Sequence, residues 1–132
     1  MMTEVACLAT AIFFEARDQP ITGQELVADV VMNRVEHERY PDTVCGVVYE
    51  DRAFSFTHDG LSDDMEDHTG HQDNLARGLA LALSEDYIHE GKRLGSTATH
   101  YHTTDVNPFW ADVFVVDGVF GDHIFYTCSG FC

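Results

Sequence analysis

Glu15 occupies an unusual place in the chain. Ten of the twelve residues from Val5 to Ala16 are apolar, and only Thr10 and Glu15 interrupt the run. On a helix, Glu15 falls seven residues after Leu8 and three after Ile12, and so shares their side. A carboxylate in such company is poorly hydrated. Desolvation penalises its charged form and raises its pKa. The product is an acid that still holds its proton near neutral pH, which is what protonating a glycosidic oxygen requires. The competing structural account is a glutamate paired with Arg17 or Arg34 at the helix end, and the helix pattern alone does not separate the two.

Two further clusters carry chemistry. In "ATHYHTTDVNPFW", residues 98–110, a strand would point His100 and His102 to one face and Thr99, Tyr101 and Thr103 to the other. H-x-H on a strand can bind zinc if His58, His68, His71 or His123 supplies a third ligand. More often such a pair lines a cleft or satisfies buried hydrogen bonds. Tyr101 and Trp110 offer flat, amphipathic faces on which sugars stack, although core packing is the commoner use of both. In "FSFTHDG", residues 54–60, Ser55, His58 and Asp59 invite a triad, but no G-x-S-x-G elbow surrounds the serine. Asp59 is a better candidate for a second carboxylate near Glu15. The run "DGLSDDMEDHTGHQD" offers oxygen ligands for Ca2+ without EF-hand spacing, and a solvated acidic loop accounts for it more simply.

The elements that must position these residues can be read along the chain. Helix one is expected from about Thr3, as cap, to Ala16, apolar nearly all round and therefore central to the domain. Pro20 ends it. Thr22 and Glu25 fit a capping box that opens helix two, with Leu26, Val27, Val30, Val31 and Val35 as its buried face. A turn at Pro41-Asp42 leads to a short helix from about Thr43. Residues 51–73 are irregular and acidic. A further helix is expected from Asp73 to Glu90, with Leu75, Leu79, Leu83 and Tyr87 as a core stripe and Gly91 as its stop. "STATHYHTT" reads as a strand. "VFVVDGVFGDHIFY" reads as two more, joined near Asp117-Gly118 or Gly121. Helices followed by a small antiparallel sheet predict an α+β fold with a cleft between body and sheet.

At 132 residues the chain has the size of one domain, residues 1–132, with a real core. With 7 Lys plus Arg against 23 Asp plus Glu the formal charge is −16, which disfavours nucleic acid and anionic membranes as partners. No apolar run is long enough to span a bilayer. The N-terminus lacks a basic n-region and does not read as a signal peptide, so work on a cell wall would follow release from the cytoplasm. Cys7 with Cys45, or Cys128 with Cys132, can bridge; free thiols are equally compatible with the sequence.

Taken in order, "CLATAIFFEAR", "GQELVADVVMNRV", "YPDTVCGVVYE", "FSFTHDG", "ATHYH" and a "WA" followed by "GDHIFY" resemble the cell-wall hydrolases of the spore-cortex-lytic (SleB-like) type, from Cys7 to Tyr126. The resemblance implies a lysozyme-like fold and cleavage of peptidoglycan glycan strands between N-acetylmuramic acid and N-acetylglucosamine. The glutamate of the family's "EAR" block is the acid/base, and that position is Glu15. Spore-type members act as lytic transglycosylases: one carboxyl protonates the leaving oxygen, then deprotonates the sugar's own C6 hydroxyl as a 1,6-anhydro ring closes. Against the family's usual "EARGEP" this chain reads "EARDQP", so Gln19 replaces a helper acid and Asp18 stands one position earlier. Against "FSWTCDG" it reads "FSFTHDG", with Phe56 and His58 in place of Trp and Cys. The segment before "ATHYH" is remodelled as well.

The combined expectation is a monomeric peptidoglycan glycosidase, most simply a lytic transglycosylase, with Glu15 as acid/base and no metal or other cofactor. Phe54, Ser55, Phe56, Asp59, Thr99, His100, Tyr101, His102, Trp110 and Tyr126 are the candidates for the sugar path. A compact phage-type endolysin fits, as does a catalytic domain cut from a longer protein. An inverting muramidase would need a base carboxylate about 6.5–9.5 Å from Glu15, with Asp59 or Asp105 as candidates. A zinc amidase acting at the histidines would use different chemistry on the same polymer, and a non-catalytic glycan-binding domain would use the scaffold without turnover.

Overall fold

A computed structural model describes residues 3–50, 53–58, 62, 64–91 and 95–128, apart from the side chains of Ser55 and His58. Its central element is α1 (Glu4–Ala16). The Thr3 side chain caps it by accepting from the Ala6 amide. Every residue from Cys7 to Phe13 is buried, as expected of a helix that is apolar all round. The polar exception, Thr10, satisfies its hydroxyl on the Ala6 carbonyl one turn back.

Against α1 pack α2 (Ile21–Glu36), α3 (Val44–Val48) and a long α4 (His71–Glu90). Thr43 caps α3 through the Gly46 amide, and Glu4 at the start of α1 accepts from the Val44 amide, 2.8 Å away. A Cys7–Cys45 disulfide joins the same two helices, which selects one of the pairings the sequence left open. The second of those pairings involves Cys132, outside the described residues.

Two expected details differ. Helix α2 does not use the Thr22–Glu25 box. It begins two residues earlier, at Ile21, with Pro20 in place of Thr22 as its cap and no side-chain cap bond. Proline's fixed φ and missing N–H suit a helix entry, and Thr22 is already inside the first turn. In α4, Leu75 is 62% exposed, while Ala80, Leu83, Ser84 and Tyr87 are buried. A row of every fourth residue gains about 40° per step on a helix of 3.6 residues per turn, so it winds off the face it starts on.

Three strands close the fold: β1 (His100–Thr103), β2 (Val115–Phe120) and β3 (His123–Thr127), antiparallel in the order β1-β3-β2. Tyr101 pairs with Phe125, and His102 with Ile124. Of the two turn sites open in the sequence, Gly121 makes the hairpin (φ +61°), and the register slips at Gly118 instead. A polar face of α2 fastens the lead-in to β1. Asn33 donates to the Ser96 and Ala98 carbonyls at 2.8 and 2.7 Å, Arg34 donates to Thr99 O at 2.8 Å, and Asp29 accepts from the Ser96 amide.

Gly121 has a second constraint. A Cβ there would lie 2.3 Å from Gln19 Oε1 and 3.0 Å from Pro20 Cδ. Strain at positive φ and this clash act together, so Gly121→Ala is expected to lower stability by about 1–3 kcal/mol. Denaturant unfolding checks this; an unchanged midpoint would show that the corner yields freely.

Candidate active site

Between the helical body and the sheet lies a cavity of about 660 Å³. Phe14 and Glu15, from the last turn of α1, form one side, and Asp18 and Gln19 follow at the corner before α2. Arg34 enters from α2. Tyr101, His102 and Thr103 of β1 stand opposite, with Val106, and Asp122 and His123 complete the rim from the hairpin.

The centre of this arrangement is a contact between Glu15 and Tyr101, whose hydroxyl donates to Glu15 Oε1. Burial pushes the Glu15 carboxyl above its ordinary value of 4.5, against the opposing pull of the Tyr101 hydrogen bond and the Arg34 charge. Burial and the neighbouring carboxylate likewise hold Tyr101 well above the usual phenol range, so it serves as a donor. Its ring is fixed from behind by Phe125 (5.4 Å between centroids) and His123 (5.0 Å). The alternation along β1 is thus the reason Tyr101 faces α1.

Arg34 is 8% exposed and held at three points. Its Nε bonds Thr99 O, and its guanidinium lies over the rings of Tyr40 (5.2 Å) and Phe54 (5.5 Å). No ion pair joins it to Glu15 within 4 Å among the described residues. Arg17 turns to Asp73 at 3.3 Å and to the Phe13 ring. Neither arginine therefore neutralises Glu15 by contact, as the structural account of that carboxylate required.

Gln19 ties the corner to the hairpin. Its Oε1 accepts from the Asp122 amide at 2.8 Å, and its Nε2 donates to Asp122 Oδ2 and Asp18 Oδ1, both at 3.1 Å. Among the described residues, the carboxylates lining the cavity beside Glu15 are Asp18 and Asp122. Asp105, expected as a possible base, does not line it and accepts from the Thr103 hydroxyl instead. Asp59 lies outside the described residues.

The other expected site residues divide by distance from this cavity. Tyr101 and His102 line it. His100, Trp110 and Tyr126 belong to an aromatic cluster on the outer face of the sheet: Trp110 packs on His100 (5.1 Å), His102 (5.6 Å) and Tyr126 (5.1 Å), and Phe114 on His100 (4.8 Å). They buttress the wall instead of lining it. Burial, with the Arg34 charge, lowers His100 to about 4. Thr99 spends its hydroxyl on the His100 ring and the Cys128 amide. Phe56 stacks behind the cavity-lining Phe14 at 5.1 Å, and Phe54 behind Arg34. Both phenylalanines act one layer back. The side chain of Ser55 is outside the described residues, as are residues 59–61 and 63 of the acidic loop.

The residues do not fit a zinc site on H-x-H. His102 places Nδ1 at 2.7 Å from Thr103 O and Nε2 at 2.8 Å from the Tyr126 hydroxyl, and His100 Nδ1 meets Thr99. No group of three potential ligands assembles among the described residues. Phe14, Asp18, Gln19, Arg34, Ala53, Thr103, Val106, Asp122 and His123 line the cavity but are absent from the expected sugar path. The family's helper-acid position pointed to Gln19, and Arg34 entered the sequence reading only as a partner that could pair with Glu15.

Comparison with known proteins agrees with this fold. The family model described as Cell Wall Hydrolase matches residues 18–126. The catalytic domain of the germination-specific lytic transglycosylase SleB from Bacillus anthracis superposes with a TM-score of 0.72 at 30% identity, over 94% of this chain and 93% of that one. The SleB catalytic domain of Bacillus cereus gives 0.65 at 28% identity, over 94% and 89%. Among curated relatives, the spore cortex-lytic enzyme of Oceanobacillus iheyensis is 44% identical over 57 residues, which is 43% of this chain and 21% of that protein. The match thus spans about a fifth of the curated relative's length.

Proposed function

Because the chain belongs to the cell wall hydrolase family, we propose that it cleaves the glycan strand of peptidoglycan as a lytic transglycosylase, with Glu15 as its single acid/base. The observation that carries this reading is the desolvated Glu15 carboxyl at the cavity, held by the Tyr101 hydroxyl.

The geometry supports a division of labour within that carboxyl. Oε1 accepts from Tyr101, which leaves Oε2 to carry the proton. Oε2 donates to the glycosidic oxygen between muramic acid and glucosamine units as the bond to C1 breaks. The resulting carboxylate is stabilised by the Tyr101 hydrogen bond and the Arg34 charge. It then removes the proton of the C6 hydroxyl, whose oxygen attacks C1 and closes the 1,6-anhydro ring. The proton returns to Glu15, and no water is consumed. The flanking carboxylates Asp18 and Asp122 favour a second reading, hydrolysis through a water-activating base. Mass spectrometry of fragments from purified sacculi separates the two: anhydro ends are expected, and reducing ends would require the hydrolytic route. Soluble fragments bearing peptide stems but intact glycan would instead indicate an amidase. Binding without turnover would indicate a carbohydrate-binding role. The site of action under this reading is the cell wall.

Tyr101 gives a test of proton control. Its hydrogen bond favours ionised Glu15, so Tyr101→Phe raises the Glu15 pKa further. An acid works while protonated, and activity falls as pH rises through its pKa. The alkaline limb of the pH–rate profile should therefore move to higher pH in the variant, with kcat lowered by about tenfold from loss of orientation. A limb that stays in place would separate Tyr101 from Glu15.

A further inference from the structure

Arg34 is more than a neighbour of the acid. Among the described residues lining the cavity it is the only lysine or arginine, in a chain of net charge −16. Its Nε is committed to Thr99 O and its planar group is clamped between aromatic rings. The two terminal nitrogens make no hydrogen bond or ion pair with any described residue, and they are not sealed from the cavity. A guanidinium this buried is strongly disfavoured unless an anion completes it. The planar fork suits a carboxylate, which can accept from both terminal nitrogens at once. When Glu15 holds its proton, no anion among the described residues is in contact with these nitrogens.

We propose that Arg34 is a substrate-recognition residue that binds the free carboxylate of a 3-O-lactyl group, so that the enzyme prefers muramic acid residues lacking a peptide stem. The inference rests on the peptidoglycan reading above for the identity of the sugar. An amide at the same position presents a carbonyl oxygen and no charge, and so makes a weaker, single contact. A bound carboxylate also screens Arg34 from Glu15. Screening removes one of the influences that favour loss of the Glu15 proton, so recognition and acid strength are linked through one cation.

Binding, not cleavage, provides the test. Glycan strands stripped of their stems by an amidase carry free lactyl carboxylates; the same strands coupled to methylamine carry neutral amides. Both are titrated by calorimetry into the inactivated Glu15→Gln protein and into Glu15→Gln combined with Arg34→Gln. The free strands should bind the Arg34-containing protein at least about tenfold more tightly than the amidated ones, and the preference should vanish without Arg34. The comparison of two ligands on one protein needs no Arg34 variant, so it stands even if Arg34→Gln fails to fold; Arg34→Lys then serves, with the preference reduced. Equal affinity for the two strands, a preference that persists without Arg34, or no binding to either overturns the proposal. Failure of the glycosidase reading shows separately, as intact strands after incubation with the wild-type chain.

Discussion

Replacing Glu15 by Gln is expected to reduce release of glycan fragments from sacculi by about 10²–10⁴-fold while leaving the fold intact. Glutamine keeps an oxygen that can accept from the Tyr101 hydroxyl, so the cavity should hold its shape. Stability provides a second readout, and its sign is opposite to that of simple damage. The folded protein raises the Glu15 pKa above 4.5, so the native state binds this proton more tightly than the unfolded state does. The contribution to stability is full below the ordinary glutamate value and is lost as pH rises through the folded value. Glutamine does not titrate. The variant should therefore be at least as stable as the wild type at neutral pH, with its relative stability increasing across that window. Full activity, or a collapse in circular dichroism at neutral pH, would remove Glu15 from its assigned role.

The second large effect concerns stability alone. The Cys7–Cys45 disulfide spans 38 residues of sequence, and closing a loop of that length in the unfolded chain is worth about 4 kcal/mol. For a domain of this size a double Cys7→Ala, Cys45→Ala variant should melt more than about 10 °C lower. Cys7 lies two turns before Glu15 on the same helix. The bridge fixes the far end of the helix that carries Glu15, and activity below the new melting point should change little. Calorimetry with activity measured at a low temperature checks both halves. An unchanged melting temperature would mean that the Glu4–Val44 contact and the packing around α3 suffice to hold this corner.

How much of this was legible depended on whether a signal was local. The central helix, its Thr3 cap and the stop at Gly91 follow from short-range pattern and backbone chemistry. The place of Glu15 followed from helical spacing, and the expectation that it is the acid came from the resemblance. Strand alternation put Tyr101 on the face opposite His100. What the pattern concealed was long-range. Nothing near Asn33 or Arg34 in sequence says that they bond carbonyls more than sixty residues away. Trp110 has the chemistry of a sugar platform, but its position is set by a 3-10 turn that folds under the outer face of the sheet. The same holds for His100 and Tyr126: strand alternation placed His100 on the face opposite Tyr101, and only the position of the helices told which face meets the cavity. Residue type alone could not tell Gln19 the clamp from Gln19 the missing acid.

The proton on Glu15 is the point at which the account is most exposed. The carboxyl carbon of Glu15 can be titrated by 13C NMR in the wild-type chain, with Glu15→Gln to assign the signal. The expected inflection lies above 4.5, coincides with the alkaline limb of the activity profile, and moves up in Tyr101→Phe. An inflection at or below the ordinary glutamate value, with activity persisting well above it, would contradict the assignment of Glu15 as the general acid.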